Sequence, residues 1–301
     1  MKKFAPYLAG IAMSLIFGLS FMFSKSALSS LQAFELLFLR FFTAAFSMTL
    51  LVIFKVKKVT YKDKNIKGLL VLAVWQPVLY FILETYGLKY SASSEVGILM
   101  ALVPVIVTIM AAVMIKEKTT KKQWIFILFS VIGVVYIVLM EGNSKAASEL
   151  KGIVFILGAV FSGALFNILS RKASKDFTPF EITYFMMVLG TIVFGGLYLI
   201  NGFISRDLNL VSKLNLTVIT SILYLGVMSS VVAFLLINYT LSKLPASQSA
   251  IFVNLTTVVS IMAGVFIMHD SFELYKLIGA VIIILGVWGT NRFSNYSSET
   301  K

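Results

Sequence analysis

Gln76, Tyr80 and Glu84 fall four residues apart in an otherwise apolar stretch, so a helix there carries a single polar face. An amide, a phenol and a carboxylate in one row can hydrogen-bond a polar solute, and such a carboxylate can also carry a proton. Trp75 stands beside this face, and Pro77 removes one backbone donor from it. Lys25, Arg40 and Glu95 are further charges set in or at the ends of apolar runs, and ionisable groups in such places default to functional hypotheses. Smaller polar and aromatic groups recur in the same way: Ser14 and Phe17, Asn167, Asn238 with Tyr239, and Asn254 with Thr257. Their alternative role is hydrogen bonding between helices, worth about 0.6 kcal/mol or somewhat more each.

Other chemistries are poorly served. The chain has no cysteine and one histidine, which excludes disulfides and thiolate metal sites and leaves no histidine cluster. Neither H-E-x-x-H, a Walker A loop nor G-x-S-x-G occurs, so no metal and no cofactor are expected. His269, next to Asp270, reads as a helix-end or water-facing residue.

The elements that must position these groups follow from composition. Of 301 residues, 59% are hydrophobic and 13% charged, against about 25% charged in soluble domains, which excludes a soluble enzyme. Apolar runs predict ten membrane helices, at about 6–28, 34–54, 68–88, 92–115, 124–140, 152–170, 180–201, 216–240, 246–268 and 274–291. The first run is longer than the apolar core of a secretory signal and reads as a retained helix. A net charge of +13 would suggest a nucleic-acid partner in a soluble protein; here it is an orientation signal. With the N-terminus inside, eighteen of the 26 Lys and Arg residues fall in cytoplasmic segments and six on the other side, so both termini are expected to be cytoplasmic. That topology puts Lys25, Arg40, Glu84 and Glu95 in the outer third, as an ion-paired outer gate or a proton-coupling set. The competing reading places the carboxylates at the interface and lets Lys25 snorkel to water.

The chain also repeats. The offset of 153 residues between Tyr86 and Tyr239 pairs Ser94 with Ser247, Ile98 with Ile251, Val105 with Val258 and Gly133-Val134 with Gly286-Val287, without a gap. Glu117 meets Asp270 in the same register. The chain thus divides into a first five-helix repeat at 1–145 and a second at 146–301, forming one membrane domain. Because five is odd, the second half enters the membrane from the opposite side, the inverted plan that recurs in secondary transporters.

Phe17-Gly18, Arg40-Phe41, the stretch from Leu88-Lys89-Tyr90-Ser91-Ala92 through Leu102-Val103-Pro104-Val105 to Lys116-Glu117, and the second copy from Leu241 to Asp270 together resemble the drug/metabolite transporter superfamily, specifically its EamA-type exporters. The resemblance implies an all-α transmembrane fold of ten helices in two inverted five-helix repeats around a central cavity, lined by helices 1, 3, 4, 6, 8 and 9. The sequence departs from the pattern at Thr257-Val258, which stands where the first half has Pro104-Val105. The functional expectation is a non-enzymatic secondary carrier in the cytoplasmic membrane. It moves a small organic metabolite, an amino acid or related zwitterionic or aromatic solute, by alternating access, with export the direction the resemblance implies. Its partners are the solute, the bilayer and a proton as coupling ion; nucleic acid is not one, and a monomer suffices. The alternatives are an importer of a nucleoside-like or sulfonium metabolite and, from another class, an intramembrane enzyme or lipid-handling protein.

Overall fold

The computed structural model describes residues 4–62, 64–114, 120–140, 146–206, 209–244, 246–250, 252–270 and 273–293. These form ten helices and, among the described residues, no strand. They are α1 (Ala5–Leu28), α2 (Ala33–Ile53), α3 (Ile66–Tyr90), α4 (Ser93–Met114), α5 (Lys121–Met140), α6 (Ala146–Ala173), α7 (Pro179–Ser205), α8 (Leu216–Lys243), α9 (Ala246–Ala250 and Val253–Phe266) and α10 (Leu274–Arg292). Seven of them, α1 to α4 and α6 to α8, are long and apolar enough to cross a membrane; α9 and α10 hold shorter apolar segments. We call the end with the N-terminus of α1 the near end and the opposite one the far end.

Local sequence explains the helix starts. Glu35, Glu95 and Glu181 each lie three residues past a helix-capping position, and each carboxylate accepts the backbone N–H of Gln32, Ala92 or Thr178. An anion there also meets the positive end of the helix dipole. At Thr178 the arrangement is reciprocal, because its hydroxyl oxygen accepts from the Glu181 N–H at 3.2 Å, and Pro179 supplies a first helical residue that needs no donor.

Beside the segmented α9, three spans are not regular, and their irregularities sit at mid-helix. In α3 the helix is kinked within Val74–Leu79, where the Gln76 backbone is extended (φ −149°, ψ 116°) and its bond to Pro77 is cis. In α8 a π segment covers Tyr224–Ala233. In α4 the α-helix is interrupted at Ala101-Leu102, just before Pro104. The segmented α9 shows that the absence of proline from Thr257-Val258 does not make that span continuous.

Helix α1 packs on α8 and α9, α6 on α3 and α4, α2 on α7, and α5 on α10. The last pair packs on α4 at one side of the bundle, with Leu128, Ile132, Val135, Val281, Leu285 and Trp288 exposed, as a lipid-facing surface requires. Close backbone approach holds the pair. A Cβ on Gly286 would lie 2.6 Å from Ser130 N and 2.7 Å from the Phe126 carbonyl oxygen, both main-chain atoms that cannot rotate away. Gly286→Ala is therefore expected to destabilise the bundle by about 1–3 kcal/mol through overpacking, seen as a lowered Tm in detergent, with solute affinity unchanged in the folded fraction.

Candidate functional site

Seven helices, α1, α2, α3, α4, α6, α8 and α9, enclose a pocket of about 70 Å³. Its wall is largely apolar and aromatic: Met13, Phe17 and Phe21 from α1, Phe81 from α3, Met100 and Val103 from α4, Phe166 from α6, and Phe234 and Ile237 from α8. Phe234 is the hub, with edge or tilted contacts to Phe17, Phe81 and Phe166 at centroid distances of 5.3, 6.1 and 5.9 Å. Such rings present large surfaces with few rotatable bonds and stiffen the wall.

The polar lining is small and specific. Arg40 from α2 is fully inside: its Nε donates to Ser230 Oγ and its Nη2 to Ser229 Oγ, both at 2.8 Å. Its guanidinium carbon stands 4.3 Å from the centroid of the Phe81 ring, a cation–π contact. The two serines are neighbours in the π segment Tyr224–Ala233, and the branched arginine head reaches both through separate nitrogens.

Glu84 and Arg40 interact electrostatically without forming a direct salt bridge. Glu84 Oε2 is buried with no hydrogen-bond partner, and so are Asn167 Oδ1 and Thr256 Oγ1, all on pocket-lining residues. The Asn167 amide is fixed at its other end, where Nδ2 donates to the Gly163 carbonyl at 2.8 Å. Buried polar atoms are nearly always paired, so three such atoms around one space make it a candidate place for a polar ligand or ordered water. Tyr80 completes this side, its hydroxyl 3.8 Å from Met100 Sδ and its ring over Gly163.

Of the sequence-predicted cavity residues, Phe17, Gln76, Tyr80 and Asn167 line the pocket. The others lie elsewhere. Ser14 Oγ donates to the carbonyls of Gly10 and Phe252, Asn238 is locked between Ser170 and Thr183, and Thr257 Oγ1 donates to the Gly97 carbonyl at 2.9 Å. These three tie helices together. Trp75 packs against Phe161, and Tyr239, half-buried, and Asn254 are outside the lining set, which takes Val253 and Thr256 from α9.

The predicted gate divides. Arg40 and Glu84 belong to the pocket, whereas Lys25 and Glu95 sit at the far end. The expected pairing of the carboxylates with Lys25 and Arg40 does not form. Lys25 Nζ donates to the Leu88 and Ser91 carbonyls at the end of α3, both at 2.7 Å, and Glu95 is paired with Lys276. A free helix C-terminus offers unpaired carbonyls to an ammonium, so Lys25 has a main-chain alternative to a carboxylate.

The near end carries a charge pair as well. Glu181 pairs with Lys64 at 2.9 Å there, as Glu35 pairs with Lys213 at 2.7 Å at the far end. Lys64 lies in a loop with no apolar run, which hid this contact. Tyr61, in the same loop, donates its hydroxyl to the Glu181 carbonyl at 2.8 Å, and burial pushes its phenol well above the ordinary tyrosine range. His269 is exposed.

Apolar helices enclosing a pocket with a buried charge pair and unpaired polar atoms are the build of a multi-pass membrane transporter. The chain belongs to the EamA-like transporter family, whose model matches residues 5–139 and again residues 150–292. It is similar to YcxC, an uncharacterized transporter of Bacillus subtilis (strain 168), with 36% identity over 297 residues, 98% of this chain and 95% of the relative. YyaM, an uncharacterized transporter of the same organism, is 28% identical over 307 residues, 99% of this chain and 98% of its own. A solved protein structure matches with a TM-score of 0.71 at 13% identity, covering 98% of this chain and 99% of its own, a likeness of fold.

Proposed function

We propose that the protein is a secondary carrier of a small zwitterionic or aromatic organic solute, an amino acid or a close relative, working by alternating access across the cytoplasmic membrane. One observation carries the reading: an aromatic-walled pocket holds a cation, a carboxylate oxygen without a partner, and two more unpaired polar atoms, on Asn167 and Thr256. A solute with a carboxylate for Arg40 and an ammonium for Glu84 and Asn167 satisfies this set, while its apolar part meets the phenylalanines.

The alternating mechanism is supported by the arrangement of the two halves, 1–145 and 146–301. The family model matches once in each. The packing is unchanged when each helix is exchanged for the one five places along: α1 on α8 and α9 becomes α6 on α3 and α4, while α2 on α7 and α5 on α10 map onto themselves. The Glu35–Lys213 and Glu181–Lys64 pairs exchange in the same way, one at each end. Two inverted halves related like this can swap conformations and turn the pocket from one side of the membrane to the other. Cytoplasmic termini follow from the lysine-rich segments, and outward transport is the direction we assign.

The test is metabolite profiling of cells with and without the protein, followed by transport of the enriched solutes in proteoliposomes. Movement of one amino-acid-like solute down an imposed gradient is expected. If nothing moves under any gradient, the carrier reading gives way to an intramembrane enzyme or lipid-handling protein.

A further inference from the structure

The far end of the bundle is crossed by bonds that no ion pair predicted from sequence includes. Asp270, just past α9, accepts three hydrogen bonds on one carboxylate oxygen, Oδ2: from Ser93 Oγ at 3.0 Å, Ser94 N at 3.1 Å and Ser94 Oγ at 3.0 Å, all at the first turn of α4. Nothing bulky separates the two helices there, because a Cβ on Gly264 would lie 2.9 Å from Ser94 Cβ and 3.0 Å from Ser94 N. The carboxylate is itself anchored to α9, since the Asp270 N–H donates to the Gly264 carbonyl at 3.0 Å. Below this contact α9 grips α4 by side chain to main chain, with Ser260 Oγ on the Ser93 carbonyl and Thr257 Oγ1 on the Gly97 carbonyl, both at 2.9 Å.

The chemistry of these contacts differs from that of a permanent seam. Charge-assisted bonds to a helix start are strong while made and are replaced one for one by water when the helices part. They join α4 to α9, which also contribute Met100, Val103, Val253 and Thr256 to the pocket, so separating them opens the pocket toward the far end.

We infer that Asp270 is the latch of the far gate, a positioning residue that sets how often the pocket opens to that side. The inference rests on the carrier reading above. It is distinct from the Lys276–Glu95 and Lys213–Glu35 pairs, which tie α4 to α10 and α2 to the segment before α8.

The chain has no native cysteine, so a single introduced one reports on access without interference. Ser20→Cys places a near-isosteric thiol in the buried pocket wall, and His269→Cys on an exposed residue marks which vesicle face is the far one. Labelling with a membrane-impermeant maleimide in vesicles of both orientations is compared with and without Asp270→Ala. The latch predicts that Asp270→Ala speeds far-face labelling of the pocket thiol about tenfold, as loss of one charge-assisted bond would, and slows near-face labelling. Asp270→Asn, which keeps an acceptor oxygen, restores most of the closure. If Asp270→Ala folds poorly, the Ser93→Ala/Ser94→Ala pair removes both hydroxyl donors and is expected to act in the same direction. Near-face labelling with an unchanged far-face rate in all variants overturns the latch and leaves the carrier reading standing. Equal rapid labelling from both faces of the protein with Asp270 intact indicates an open pore and overturns both.

Discussion

Replacing Arg40 with alanine is expected to abolish transport and to destabilise the protein by about 1–3 kcal/mol, the usual cost of leaving buried hydrogen-bonding groups without their partner. The guanidinium holds two serine hydroxyls of α8, lies against Phe81, and supplies the positive field felt by Glu84. Removing it orphans all of these at once. Glu84 also loses the nearby cation, so Arg40→Ala/Glu84→Gln is expected to unfold at a higher temperature than Arg40→Ala alone while remaining inactive. Lysine is not a substitute. A point charge cannot span Ser229 and Ser230 with a planar fork, so Arg40→Lys should fold well and still lose solute binding by about tenfold or more. Thermal unfolding in detergent and binding of the identified solute separate these effects; equal destabilisation of the single and double variants would remove Glu84 from the account.

The second large effect concerns Glu84 itself. Its Oε2 is buried, unpaired and adjacent to the pocket, where it can exchange a proton with the solute or with water. Glu84→Gln keeps the shape of the side chain and removes the titration. Transport of the solute down its own gradient is expected to survive with weakened affinity, because the amide keeps an acceptor for the ammonium and loses the charge, while stimulation by an imposed pH gradient should disappear. A variant that retains its pH-gradient stimulation would show that the coupling proton, if any, rides elsewhere. The same experiment on Glu95→Gln should leave the stimulation intact, because Glu95 is committed to Lys276 and the start of α4.

The helices could be read from sequence because burial in lipid demands long apolar runs, and the observed ends lie within a few residues of the expected ones except at α6, whose polar first turn, Ala146 to Leu150, extends it toward its N-terminus. Half of the site was equally visible. Gln76, Tyr80, Glu84 and Arg40 stand out because a polar group in an apolar run is costly. The rest was hidden for physical reasons. Thr256 and Thr257 are indistinguishable by composition, and only the helix phase after the α9 break sends one to the pocket and the other to the Gly97 carbonyl. Asn238 looks like a ligand and is spent on Ser170 and Thr183, since amides serve packing and recognition alike. Lys25 was expected to seek a carboxylate; helix-end carbonyls, which leave no trace in side-chain types, took it instead.

The breaks of α3 and α8 divide two spans at matching places. Val74, at the start of the irregular stretch of α3, is paired by the 153-residue offset with Val227, inside the π segment of α8. The two breaks differ in form: α3 is kinked at Gln76, whose backbone is extended, whereas α8 widens into a π segment. A helix broken in its middle can bend there while each part moves as a unit, so both spans carry a hinge beside the pocket, and Gln76 and the Ser229–Ser230 pair that holds Arg40 stand at the hinges themselves.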